Sequence, residues 1–163
     1  MADYSFITLW KFDAPLEKVY EVVHNADNYH LWWKGQGPVQ SIARGDNFGK
    51  GAIKRFTTRS VLPYSLVYDG LVLDVVPFKK IEGTTTGDLQ GHGVWTFEQV
   101  NGASAVKYYW NVKTTGFWMN LLAPILKPVF AWNHDVVMKW GGEGLARYLG
   151  CRLLLVETER AGA

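Results

Sequence analysis

The sequence lacks several features that would define a protein class. It has one cysteine, Cys151, among 163 residues, which excludes a disulfide framework and is typical of a reducing compartment. Its 17 Lys and Arg and 15 Asp and Glu give a net charge of only +2 without charged blocks, which argues against a nucleic-acid-binding protein. The four histidines form no zinc motif and no glycine-rich phosphate loop joins a strand to a helix, so neither metal nor cofactor is expected.

Long hydrophobic runs are also absent. The most apolar stretch, Phe117 to Trp132, is 16 residues long and falls short of the about 20 residues that span a bilayer. The N-terminus carries Asp3 and Asp13 and has no basic region followed by an apolar run, so it does not resemble a secretory signal. We therefore expect a cytoplasmic protein.

Aromatic residues are abundant, with eight each of Trp, Tyr and Phe, or 15% of the chain. Together with the 48% apolar fraction, this excludes a disordered chain. The length suits one domain over residues 1–163, since no linker or repeat divides it. That much ring surface either fills a core or lines a cavity, and composition leaves both open.

Hydrophobic periodicity predicts an α+β domain. The alternation of Ser5 to Phe12 predicts a first strand, and apolar residues at helical spacing between Pro15 and Asn25 predict a helix, followed by a short helical turn from Ala26 to Trp33. Short runs of β-formers then predict six more strands, with Asn101-Gly102 as a hairpin turn. The predicted strands are Val39–Arg44, Gly51–Val61, Tyr64–Val76, Lys80–Thr86, Gly91–Gln99 and Ala103–Thr114.

The C-terminal part returns to a helical period. The pattern predicts a long helix from Val129 to Leu149 that ends at Gly150. The predicted fold is a curved seven-stranded antiparallel sheet that wraps around this helix, with two short helices after the first strand. We divide it into the sheet and N-terminal helices (3–116), an apolar entrance segment (117–128), the long helix (129–150) and a tail (151–163).

This order of elements, together with short motifs, resembles the START/birch-allergen (SRPBCC) superfamily, in particular its bacterial polyketide cyclase/dehydrase-like branch. The resemblance covers Phe6 to Leu149 and implies a helix-grip fold with a deep apolar cavity between sheet and helix. Such cavities hold lipids, sterols, polyketides, hormones or quinone-like molecules, and the resemblance implies no single reaction. The motifs are Ala14-Pro15 with Val19, Trp32-Trp33, Leu62-Pro63-Tyr64, Gly87-Asp88-Leu89 with Gly91, Trp95-Thr96-Phe97-Glu98, and WNHDVVMKWGGEGL from Trp132 to Leu145.

Period-two alternation places several rings on the inner face of the sheet. Side chains of two neighbouring strands and of the inward stripe of the long helix are our candidates for a ligand-binding wall. A solid aromatic core is the alternative. The candidates are Trp95, Tyr108, Trp110, Phe130, His134 and Val137.

Two candidates could also assist chemistry. A neutral imidazole at His134 could hydrogen-bond a ligand carbonyl or act as a general acid or base, although a lone interior histidine is more often structural. Tyr68 is the second catalytic candidate. Three further polar residues, Arg55, Glu82 and Thr84, lie in strands whose faces a single bulge would reverse.

Three functions follow from this interpretation. The first is binding of one small hydrophobic molecule, aromatic, polyketide-like or lipid-like, in the cavity. The second is a polyketide cyclase or dehydratase that uses His134 or Tyr68. The third is a lipid or quinone carrier that contacts membranes transiently through residues 117–132. A homodimer contact or ordinary packing is the alternative role of this segment.

Overall fold

The chain forms one antiparallel sheet that curves around a long helix. The computed structural model describes residues 3–161. The sheet has eight strands in the order β2-β3-β4-β5-β6-β7-β1-β8. The strands are β1 (Asp3–Phe12), β2 (Gln40–Ala43), β3 (Ile53–Arg59), β4 (Ser65–Val76), β5 (Lys80–Gly87), β6 (Leu89–Val100), β7 (Ala103–Thr114) and β8 (Leu153–Arg160).

The first seven strands lie where the period-two pattern predicts them. The hairpin between β6 and β7 turns at Asn101 and Gly102, whose φ angles of 49° and 80° are those that Asn-Gly adopts with little cost. The strand β1 pairs with β7 and therefore joins the chain's start to its last hairpin, with Trp10 opposite Val106. Inward positions of β1 alternate strictly as buried residues.

An eighth strand lies where we predicted a tail. The strand β8 pairs antiparallel with β1, with Trp10 opposite Val156. Its run Leu153 to Val156 is apolar without alternation, and the following residues are charged, so the sequence pattern alone did not show a strand. The pairing extends the sheet beyond β1 and gives the C-terminal part of the long helix a surface to cover.

Two short helices follow β1. The helix α1 (Leu16–His24) buries Val19, Tyr20 and Val23 on one face, as its spacing predicts. A 3-10 turn (Ala26–Asn28) and the one-turn helix α2 (Tyr29–Trp32) follow it.

The long helix is longer than its periodicity predicted. The helix α3 runs from Phe117 to Leu149, or 33 residues, whereas we expected a start at Val129 after an entrance segment. It continues through Pro124 and Pro128, each of which removes one backbone hydrogen bond. Both prolines lie on the exposed side, where water can satisfy the freed carbonyl groups. The helix ends at Gly150, whose φ of 66° makes the left-handed C-terminal turn.

Tryptophans fix α3 against the sheet. Trp10 of β1 is 1% exposed and its indole Nε1 donates a hydrogen bond to the Met138 carbonyl oxygen at 3.1 Å. The Trp33 Nε1 donates to the Val137 carbonyl oxygen at 2.8 Å. Since the two donors hold neighbouring helix carbonyls, they set both the position and the rotation of α3. The helix-grip fold predicted from the sequence is confirmed.

Candidate functional site

A cavity of 250 Å³ lies between the inner face of the sheet and α3. The sequence candidates meet there, although they come from distant parts of the chain: they line the cavity from β4, β6, β7 and α3. These residues are Tyr68, Trp95, Tyr108, Trp110, Phe130, His134 and Val137.

The apolar wall consists of rings that lie along the sheet. Trp95 and Tyr108 stack with ring centroids 4.0 Å apart and planes at 15°, and Tyr108 also stacks on Trp110 at 5.7 Å. Gly93 permits this arrangement, since a Cβ atom there would lie 2.9 Å from the Tyr108 hydroxyl oxygen. The three rings therefore lie along the inner face of the sheet, and the cavity between them and α3 stays open.

One end of the cavity holds polar atoms without partners. The Tyr4 hydroxyl, Asn133 Oδ1 and both His134 ring nitrogens are buried and make no hydrogen bond to any residue within 3–161. The His134 ring stacks on Phe6, with centroids 3.8 Å apart and planes at 8°. Leaving buried polar groups unpaired costs about 1–3 kcal/mol each, so this end of the cavity favours a polar ligand atom or water.

A carboxylate lies behind His134. Asp135 Oδ1 is 3.7 Å from His134 Nδ1, beyond hydrogen-bond distance, and Arg160 donates two hydrogen bonds to the carboxylate at 2.9 and 2.8 Å. Burial lowers the pKa of His134, and the neighbouring Asp135 only partly opposes this shift. Burial would raise the pKa of Asp135, but His134 and Arg160 lower it to about 2. At neutral pH the site therefore contains a neutral imidazole.

A second polar group lies on the β3–β4 side of the cavity. The Thr58 hydroxyl donates to Gln36 Oε1 at 3.1 Å, so the Tyr68 hydroxyl, 3.2 Å from the Thr58 oxygen, is the donor to Thr58. Burial raises the pKa of Tyr68, and its hydrogen-bonded neighbours partly oppose this. Tyr68 is thus a neutral phenol whose hydroxyl proton is already used in the hydrogen bond to Thr58.

The structure places the three further polar candidates elsewhere. Arg55 forms an ion pair with Asp69 at 2.7 Å, and a Glu82 carboxylate oxygen accepts a hydrogen bond from His92 Nε2 at 2.7 Å. Neither residue lines the 250 Å³ cavity, and nor does Thr84. Glu82 and Thr84 line a second cavity of 210 Å³, which Trp95 and Tyr108 also line.

Four polar residues of the site were missed in the sequence. Tyr4 precedes the predicted start of β1 by one residue, and extending the alternation from Phe6 would have placed it on the inner face. Asn133 precedes His134 in the motif WNHDVVMKWGGEGL, but it was not among the candidate residues. No sequence pattern marked Gln36 or Thr58 as part of a site. One lies in a loop and the other in a strand, and only the tertiary fold brings them together at Tyr68.

Two further findings concern metal ions and membranes. Among residues 3–161, no three His, Cys, Asp or Glu side chains are grouped so that they could hold a metal ion. Over the same range, no helix has both the length and the apolar character needed to cross a bilayer.

Comparisons with solved structures identify the fold. The Zhui aromatase/cyclase from Streptomyces sp. R1128 is similar over 91% of this chain and 96% of its own, with a TM-score of 0.70 and 13% identity. A START superfamily protein from Mycobacterium smegmatis matches 88% of this chain and 99% of its own, with a TM-score of 0.70 and 13% identity. The di-domain aromatase/cyclase StfQ from the steffimycin biosynthetic pathway matches 91% of this chain and 52% of its own, with a TM-score of 0.63 and 12% identity.

Searches by sequence gave no further relatives. No protein-family model matches the chain, and no curated protein matches it. Because the structural neighbours share so few residues with this chain, they identify the fold and not the activity. The chain thus has the same helix-grip fold as these two aromatase/cyclases and the START superfamily protein, with a cavity beneath its long helix.

Proposed function

We propose that this protein binds one small aromatic molecule in the 250 Å³ cavity and orients it through a hydrogen bond to His134. The observation that carries the proposal is the unpaired polar end of a cavity with an aromatic sheet wall; Tyr4, Asn133 and His134 form this end. Pockets that bind small molecules combine such apolar walls with a few polar groups. The structural neighbours that are named aromatase/cyclases support an aromatic or polyketide-like ligand.

The size of the cavity suggests a ligand of about two rings. An apolar cavity of about 150 Å³ holds one benzene molecule, and 250 Å³ leaves room for a second fused ring. The stacked Trp95, Tyr108 and Trp110 rings offer a flat surface to such a molecule.

The polar end favours a hydroxyl group on the ligand. Nδ1 of His134 faces the Asp135 carboxylate at 3.7 Å, so Nε2 is the nitrogen available to accept a ligand hydrogen bond. Since burial keeps this imidazole neutral, it can accept a proton donor at pH 7. The Tyr4 hydroxyl and the Asn133 amide can complete the contacts of the ligand oxygen.

The test compares 2-naphthol with 2-methylnaphthalene, which has nearly the same shape but no hydroxyl group. Equilibrium dialysis should show that the wild-type protein binds 2-naphthol about tenfold more tightly, as expected for one buried hydrogen bond. His134→Phe keeps a ring on Phe6 and removes the acceptor, so this preference should disappear while 2-methylnaphthalene still binds. His92→Phe, a change at an exposed histidine outside this cavity, should leave the preference intact. Equal binding of both compounds by the wild-type protein, or no binding of either, contradicts the proposal.

A second candidate function is proton abstraction from a bound ketone, as in a cyclase. It is favoured by the buried, neutral His134 imidazole at the cavity wall, where it could take a proton from the carbon beside a carbonyl group. The enolate oxygen would then accept a hydrogen bond from a neighbouring donor such as the Tyr4 hydroxyl.

Deuterium exchange of 2-tetralone in D₂O, followed by NMR, tests this second function. The wild-type protein should accelerate exchange at the carbon beside the carbonyl group by about 100-fold or more. His134→Gln should lose this acceleration and keep 2-tetralone binding, since glutamine retains polar atoms but is no base. Exchange that is no faster with the wild-type protein than in buffer rules out the enzyme and leaves the binding function.

Lipid binding and a cytoplasmic location stay predictions.

A further inference from the structure

The N-terminal half of α3 carries an unusual amount of exposed apolar surface. Phe117, Leu121, Ile125 and Val129 follow one another at intervals of four residues and are 81, 66, 76 and 37% exposed. Residues four apart form one ridge on a helix surface. Trp118, Leu122 and Trp132 flank this ridge and are also exposed. We call the ridge and its three flanking residues the α3 patch.

The α3 patch is too large for an ordinary monomer surface. Applying these exposed fractions to the areas of free side chains gives about 650 Å² of apolar surface, whereas the largest patch on a typical monomer is about 300–600 Å². A standard protein–protein interface buries about 600–1,000 Å² on each partner. The patch therefore has the area that one half of a stable dimer needs.

Its composition favours a protein partner over a lipid surface. Lys127 is the only charged residue between positions 117 and 132. Helices that lie on membranes are rich in Lys and Arg, and each basic residue adds about 1 kcal/mol of attraction to an anionic leaflet. The α3 patch offers one such residue, but it has the two tryptophans and the apolar ridge that are typical of interface centres.

We propose that a second copy of this chain covers the α3 patch, so that two α3 helices pack across a twofold axis. In a twofold dimer the same surface meets itself, which suits a continuous ridge that can pack into the groove beside its equivalent. The opposite side of this helix segment lines the cavity through Met119 and Phe130. The partner would thus support the helical wall of the binding site without entering the cavity.

Sedimentation equilibrium from 1 to 100 µM tests the dimer without any ligand. The wild-type protein should have twice the chain mass of 18.4 kDa. The double variant Leu121→Asp/Ile125→Asp should be monomeric at every concentration, since its charges would face each other in the dimer. Both side chains are exposed, so the variant should keep the wild-type circular dichroism spectrum.

The control is Leu154→Asp, which places a charge on an exposed leucine of the edge strand β8. It should leave the dimer intact, whereas dissociation of this variant would assign the contact to the sheet edge and overturn the proposal. A wild-type monomer at 100 µM also overturns it. If that monomer sediments with vesicles of phosphatidylcholine and phosphatidylglycerol and the double variant does not, the patch binds lipid.

Discussion

Three glycines on α3 should differ sharply in their tolerance of alanine, because they meet different atoms. A Cβ atom at Gly144 would lie 1.8 Å from the Trp32 carbonyl oxygen, which is backbone. At Gly141 it would lie 2.6 Å from a ring carbon of Trp33 and 2.8 Å from one of Trp10. Gly144 therefore lies against the backbone of α2, and Gly141 lies against the rings of Trp10 in β1 and of Trp33.

The magnitude follows from what must move. An ordinary contact begins near 3.4 Å, so Gly144→Ala requires the helix and α2 to separate by about 1.6 Å. Overpacking of this kind costs about 3 kcal/mol or more, which exceeds the about 1 kcal/mol that alanine gains in helix propensity. We expect Gly144→Ala to lose about 2–3 kcal/mol of unfolding free energy, and Gly141→Ala about half as much because rings can tilt.

Gly142→Ala is the matched control. Its Cβ atom would lie 3.1 Å from a Val156 methyl group and 3.2 Å from the Trp10 ring, contacts that a small side-chain shift relieves. Helix propensity should offset this cost, so the variant should stay within about 0.5 kcal/mol of the wild-type protein. Urea unfolding, followed by circular dichroism, gives the unfolding free energies of all three variants. The comparison requires that the dependence of this free energy on urea concentration is the same as in the wild-type protein.

The ranking of the three variants by unfolding free energy tests how α3 packs against its neighbours. A Gly144→Ala protein as stable as the wild type would refute the close backbone contact between α3 and α2. A Gly142→Ala protein that is the least stable of the three would show that the helix is rotated relative to the arrangement described above.

Two predictions concern pH. Because burial lowers the pKa of His134 below its ordinary 6.5, unfolded chains bind more protons than folded ones below that pH. The unfolding free energy of the wild-type protein, compared with that of His134→Phe, should therefore be highest above pH 6.5 and fall as the pH drops below it. Urea unfolding at a series of pH values measures this difference. A fall on the alkaline side would contradict the buried neutral imidazole. The ion pair of Asp135 and Arg160 should act in acid: with the pKa of Asp135 at about 2, the pair stabilises the fold above pH about 4 and loses its effect towards pH 2. Asp135→Asn should cost about 1 kcal/mol at pH 7, discounted for partial exposure, and clearly less near pH 2, where half of the carboxylates are protonated. An equal cost at both pH values would show that charge is not the cause.

The periodicities of the sequence determined most of the fold. Alternation of period two places Trp95, Tyr108 and Trp110 on the inner face, since successive side chains of any strand point to opposite sides. The same argument, extended by one residue, reaches Tyr4. Helical spacing likewise placed Phe130 and His134 on the side of α3 that faces the sheet, where the structure has them.

Local patterns failed where a distant contact determines the structure. The strand β8 forms because β1 offers it an unpaired edge, and the run Leu153 to Val156 has no alternation of its own. The first turns of α3 persist through Pro124 and Pro128 because Met119 and Ala123 are buried against the rest of the fold. Such contacts join residues far apart in the chain, and no local propensity records them.

Whether the rings fill a core or line a cavity was decided by tertiary structure alone. Both arrangements use the same inward residues, so the sequence pattern is identical for the two. The outcome depends on how far α3 stands from the sheet, which the hydrogen bonds of Trp10 and Trp33 to α3 set, and on Gly93, which lets Tyr108 lie flat. The unpaired polar end arises in the same way, because Tyr4 and Asn133 meet only when β1 passes beneath α3.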